Sequence, residues 1–172
     1  MSVDVNSLVF DPRKRADPNL TLPDLSDAVI GWRAWKCSTE VPPYGVSPKL
    51  LSVTHGNYYW TPHRAAIADC SRCTPDELPG EVCSCGFYSA KSARHLLQMA
   101  YHPYDADQGE VTIIGKVANW GKVIEGGQGW RAQMSYPVQL YVPFECSHLA
   151  KPLAKGYGCK VTLRNFLTSE AR

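Results

Sequence analysis

The sequence predicts an α+β domain built as a twisted antiparallel sheet with one main helix and a zinc-stabilised loop. Three observations carry that prediction. Apolar residues alternate along Val111, Ile113, Gly115 and Val117, which is the period of a strand. Ala93, Leu96, Leu97, Ala100 and Tyr101 recur at helical spacing. Four of the seven cysteines stand within the sixteen residues from Cys70 to Cys85.

A chain of 172 residues suits one domain, and 44% apolar with 20% charged residues is a globular balance, not that of a disordered chain. It contains no run of eighteen apolar residues, so no membrane-spanning helix is expected. Met1-Ser2-Val3-Asp4 lacks the basic start and apolar run of a secretory leader, and the expected compartment is the cytoplasm.

The first element is an arm. Residues 1–27 mix Asp, Pro and Asn with Arg13-Lys14-Arg15 and show no sustained period, so they read as extended. A strand is expected over 29–35, a turn over 41–45 and a second strand over 49–53. Arg64–Ala68 reads as a short helical turn. The main helix is expected over 89–101, started by Ser89 and stopped by Pro103. Strands over 111–117 and 120–124 are separated by a bend at Asn119–Gly121. The turn Gly126–Gly129 then leads into strands over 130–136 and 138–142. The body is read as residues 28–150, formally neutral, followed by a basic segment, 151–172, that packs on it or extends from it. Gly-Trp-Arg-Ala occurs at 31–34 and again at 129–132, too short a match to define a repeat architecture.

Cys70-x2-Cys73-x9-Cys83-x-Cys85 carries the clearest chemistry. Thiolates are soft ligands suited to tetrahedral zinc, and four of them leave no position open for water, so the ion expected here is structural. His63 is the alternative ligand, in place of Cys73. Cys37, Cys146 and Cys159 lie far from the cluster in sequence and read as buried thiols.

Catalytic signatures are absent. The five histidines fall in no zinc-hydrolase or deaminase motif, there is no nucleophile elbow, and no Lys-Ser/Thr follows the glycines at 126–129. The reading therefore leans away from an enzyme. A small enzyme using an unrecognised Cys/His or Glu/Arg site is the remaining catalytic alternative.

Trp32, Arg33, Trp35, Trp120, Trp130, Arg131 and Tyr136 fall on the expected sheet, and large aromatics around arginine describe the centre of a protein interface. The same residues can stack on bases, which makes a nucleic-acid-binding regulator the second reading. Charge separates the two. A nucleic-acid surface needs a concentrated positive field, and here only Arg13–Arg15 and the last 22 residues offer one. A protein partner is expected.

Cys83-Ser84-Cys85-Gly86-Phe87-Tyr88-Ser89-Ala90 and Gly115-Lys116-Val117-Ala118-Asn119-Trp120-Gly121-Lys122-Val123, together with Gly129-Trp130-Arg131-Ala132, resemble segments of small zinc-site proteins of actinobacteria and their phages. The resemblance covers residues 29–143 and leaves both ends unmatched. It implies a shared metal-bearing body and a non-enzymatic accessory role, and it carries over no activity. In that pattern a His can occupy the second ligand place, where this chain has Cys73.

Overall fold

The computed structural model describes residues 28–54, 58–99 and 109–166. The expected arm 1–27 lies outside the described residues. Strands β1 (Val29–Ser38), β2 (Leu50–Ser52), β3 (Tyr59–Trp60), β4 (Ala66–Ile67) and β5 (Phe87–Ala90) come first. They are followed by helix α1 (Ala93–Gln98), the long strands β6 (Glu110–Glu125) and β7 (Gly129–Val142), helix α2 (Ala150–Tyr157) and β8 (Lys160–Leu163). Short 3-10 segments occupy Pro75–Glu77 and Phe144–Leu149.

All eight strands belong to one sheet, and its pairing is antiparallel except between β7 and β8. β6 is the spine. It pairs with β1 from Val29↔Asn119 to Ser38↔Glu110, and with β7 on its other edge. The free edges of β1 and β7 are then joined by β5, through Trp32↔Ala90 on one side and Phe87↔Ala132 to Ala90↔Gly129 on the other. β1, β6, β7 and β5 therefore close a ring. β2 and β3 continue outward from β1, while β4 and β8 take further lengths of the β7 edge.

The sheet is buried on both sides. Successive strand residues point to opposite faces, so Trp35 and Cys37 enter a cluster with Trp60, Val117, Tyr136, Leu140, Leu153 and Tyr157. Ala34 enters a second cluster with Leu96, Leu97, Ile114, Tyr141 and Phe166. A sheet covered on both faces loses the simple in–out alternation, and consecutive residues such as Ile113 and Ile114 are both buried.

Several elements differ from their sequence expectation. The helix expected over 89–101 is α1, six residues from Ala93 to Gln98, capped by Ser92, whose Oγ accepts from the His95 N–H at 3.3 Å. Ser89 and Ala90 pair with Trp130 and Gly129 of β7 and so belong to β5; Ala100 and Tyr101 lie outside the described residues. The substantial helical segment is instead Phe144–Tyr157, the 3-10 turn followed by α2. It provides the crossover that a parallel β7–β8 pair requires.

Residues 66–67, expected in a helical turn, pair as β4 with Ser135 and Met134. The bend expected at 119–121 is an irregularity within the continuous strand β6, where the register against β7 shifts between Trp120 and Val123. Gly121 sits there at φ 73°, a backbone conformation that favours glycine. Among the described residues, no helix is long and apolar enough to cross a membrane.

Candidate metal centre

The four cysteines enter from two short segments between β4 and β5. Cys70 and Cys73 bracket a tight turn after β4, while Cys83 and Cys85 lead directly into β5 through Gly86. Their sulfurs all lie within 4.8 Å of one another, with Cys70–Cys83 and Cys73–Cys85 each at 3.7 Å. Sulfurs held about 2.3 Å from a central zinc define a tetrahedron with edges of about 3.8 Å. The spacing fits such a shell, and all four thiols are free.

The surroundings fit a cluster of thiolates as well. The backbone N–H of Arg72 donates to Cys70 Sγ and that of Gly80 to Cys85 Sγ, both at 3.4 Å. The Arg72 guanidinium donates to Cys83 Sγ at 3.5 Å. Four thiolates outnumber the two charges of a divalent cation, so these donors offset the excess. Gly80 leaves the room: a Cβ there would stand 2.8 Å from Cys73 Sγ and 3.2 Å from the Cβ of Cys83.

Crowding splits the thiols electrostatically. The Cys83 thiol is drawn down to about 6, chiefly by the backbone N–H of Cys85 and then by the neighbouring thiols, against the opposing effect of burial. Cys73 is pushed up to about 12 by burial and by the sulfurs around it. Four thiols cannot all ionise beside one another unless a cation is present to hold them.

The loop that carries the cysteines has little apolar content and is tied down by polar side chains from the long strands. Arg131 of β7 donates to the carbonyl oxygens of Cys83, Cys85 and Gly80, the last two at 2.9 and 3.1 Å. Gln133 Nε2 reaches Pro75 O at 3.2 Å and Lys122 Nζ reaches Glu77 O at 3.4 Å. Nothing in the sequence assigned Arg131 this role of holding the loop. Its bonds to three carbonyls depend on a strand pairing that no local motif announces.

His63 stands outside the sulfur group. It has a left-handed backbone, φ 57°, and its N–H donates to Tyr136 Oη at 2.7 Å. Cys37, Cys146 and Cys159 are buried as expected, and burial pushes the Cys37 and Cys159 thiols up to about 12.

The seven residues expected to form one aromatic and arginine face do not share a face. Trp35 and Tyr136 are fully buried, and Trp120 is 3% exposed. Each belongs to the larger buried cluster. Arg33 is 9% exposed, held by Tyr88 O and by Ser52 Oγ at 3.2 Å, and lies 5.0 Å from the centre of the Trp60 ring. Trp32 is half-buried, stacked on Tyr141 at 5.6 Å. Trp130 and Arg131 are also half-buried, and being consecutive on β7 they diverge: Arg131 reaches the metal loop, while Lys91 Nζ lies 5.8 Å from the centre of the Trp130 ring. No family model, curated protein or solved structure matches this chain, so its chemistry rests on the arrangement of its own side chains.

Proposed function

We propose that the chain is a non-catalytic, zinc-stabilised accessory module of the cytoplasm that binds a protein partner through the outer side of its metal loop. The carrying observation is that this loop is fixed from within yet presents an apolar tip. Four sulfurs and the Arg131 bonds hold its backbone, while Val82, between Glu81 and Cys83, is 105% exposed. Tyr88 is exposed as well, with its hydroxyl donating to Ser84 O at 2.9 Å and Arg131 5.9 Å from its ring centre. An apolar side chain on a backbone that is already tied down adds little ordering cost on binding. A four-sulfur shell has no open position for water, which supports a structural ion over a catalytic one. The likeness of Cys83–Ala90 to zinc-site proteins of actinobacteria and their phages belongs to the same reading.

Native mass spectrometry of the purified chain is expected to show about one zinc per molecule. Affinity capture with the wild type and with Val82→Asp then tests the surface. The expected result is a protein captured in stoichiometric amount by the wild type and lost with Val82→Asp at unchanged zinc content. Capture that is indifferent to Val82 overturns the assigned surface. Salt-sensitive binding of DNA or RNA replaces the protein reading with the nucleic-acid one.

A further inference from the structure

The sulfur group borders a cavity. A hollow of ≈ 290 Å³ beside the metal loop is lined by Cys70, Cys83 and Cys85, together with Arg72, Ser84 and Ile67. Three of the four clustered cysteines therefore front a space that readily admits a molecule scarcely larger than water. Cys73 is not part of that wall. All four are partly exposed, whereas Cys37, Cys146 and Cys159 are buried. Thiol reactivity follows access and thiolate character, so the cluster and the three buried thiols are set apart by their surroundings.

Spacing decides which sulfurs can join. Cys70 Sγ lies 3.7 Å from Cys83 Sγ, and Cys73 Sγ lies 3.7 Å from Cys85 Sγ. A disulfide spans about 2.05 Å, so each pair has only to close in. Both bonds would tie the turn after β4 to the segment before β5. The pairing that sequence proximity suggests is Cys70 with Cys73 and Cys83 with Cys85. Its second bond would have to close across Ser84 alone, a ring too short to form without strain.

We infer that the cluster is an oxidation site for small hydroperoxides, which enter by the cavity and convert the four thiols into Cys70–Cys83 and Cys73–Cys85 disulfides. A thiolate of the first pair attacks one peroxide oxygen. The O–O bond breaks and hydroxide leaves with the electron pair, giving a sulfenic acid. The partner thiolate attacks that sulfur; the S–S bond forms, the S–O bond breaks and a second hydroxide leaves. Each pair thus gives up two electrons to one peroxide, and the two hydroxides become water on taking up two protons. A second peroxide serves the second pair. A resolving sulfur at 3.7 Å captures the sulfenic acid before another peroxide can oxidise it further. An ion held by the thiolates, as proposed above, is released, because disulfide sulfur no longer carries the charge that binds it.

The test is titration of the full chain with hydrogen peroxide, followed by blocking of the remaining thiols in denaturant with N-ethylmaleimide and peptide mapping by mass spectrometry. Cleavage after Lys, Arg and Glu places Cys70 in 65–72, Cys73 in 73–77 and both Cys83 and Cys85 in 82–91. At two peroxides per chain, the expected product joins all three peptides. At one, Cys70–Cys83 is expected first, since both residues line the cavity. Cys37, Cys146 and Cys159 are expected to carry maleimide throughout, and dithiothreitol is expected to restore all four clustered thiols. Ile67→Trp, which fills the cavity from β4, is expected to slow cross-linking about fivefold or more. Near-ultraviolet circular dichroism reports whether that variant folds, and the wild-type map stays decisive if it does not. Linkage of 65–72 to 73–77 with a separate bond inside 82–91 overturns the proposal. So does sulfinic acid without cross-links, equal oxidation of the buried thiols, or wild-type rates in folded Ile67→Trp. Zinc is followed separately with a chromogenic chelator. A chain purified without zinc refutes the metal reading, while the peptide map still supports or overturns this one. A zinc-bearing chain that resists peroxide overturns this proposal and leaves the metal reading intact.

Discussion

At the residue scale, the sulfur group depends on two kinds of side chain, those that bind and one that is missing. Cys83→Ser replaces a thiol drawn down to about 6 with a hydroxyl that ionises far less readily. It is expected to abolish zinc retention in native mass spectrometry and to lower Tm in parallel. Gly80→Ala keeps every ligand but drives a methyl toward Cys73 Sγ, and a competition titration with a chelator is expected to show metal affinity about tenfold weaker or more.

The buried thiols give a separate pH dependence. Cys37 and Cys159 are held neutral by burial, with folded values near 12 against about 8.5 for an exposed thiol. Their contribution to stability is full below the unfolded value and is lost as pH rises through the folded one. Burial raises Tyr136 and Tyr157 in the same direction. Denaturant midpoints are expected to fall progressively between about pH 9 and pH 12, and less steeply in a Cys37→Ala/Cys159→Ala variant.

The cysteine set was legible in the sequence because its ligands sit in one short stretch, where spacing alone brings them together. The fates of Trp35, Trp120 and Tyr136 were not. An aromatic residue on a strand reads the same whether its face meets solvent or a second layer, and here the layer on each side comes from distant segments.

At the element scale, α1 and α2 show why periodicity is a weaker guide near a closing strand. Leu96 and Leu97 do face the core, as the helical spacing implied. Two residues of the expected first turn, Ser89 and Ala90, were claimed by antiparallel pairing with β7. The opposite happened at the C-terminal end. Leu149, Leu153 and Tyr157 form a buried stripe at i, i+4 and i+8, but Pro152 and Gly156 mask it as a broken, basic segment. Proline is tolerated there because it lies in the first turn, where its missing N–H has no intrahelical partner.

Leu153→Ala tests whether this stretch is core. With the side chain fully buried, equilibrium denaturation is expected to show a loss of about 2–5 kcal/mol. The exposed neighbour Lys155→Ala is expected to stay within about 0.5 kcal/mol of wild type.

At the scale of the whole molecule, the fold class was legible in outline: a mostly antiparallel sheet, a substantial helix and a cysteine cluster able to chelate a metal. The closure was not. Ring formation rests on a four-residue strand reaching two partners that are almost a hundred residues apart in sequence, and no local signal specifies such pairing. Nor did the basic C-terminal stretch disclose the parallel strand β8, since Lys160 and Val161 acquire their partners, Gln139 and Leu140, only after α2 has folded back.

β5 begins two residues after Cys85, so the strand that completes the hoop is spliced almost directly to the sulfur cluster. Where an ion binds these sulfurs, its removal would not merely slacken a peripheral loop. It would unfasten the clasp of the barrel, letting the outer edges of its two flanking strands part and offering unsatisfied amide and carbonyl groups to whatever chain came next. Metal scarcity would then be felt first as stickiness between copies, before any general unravelling.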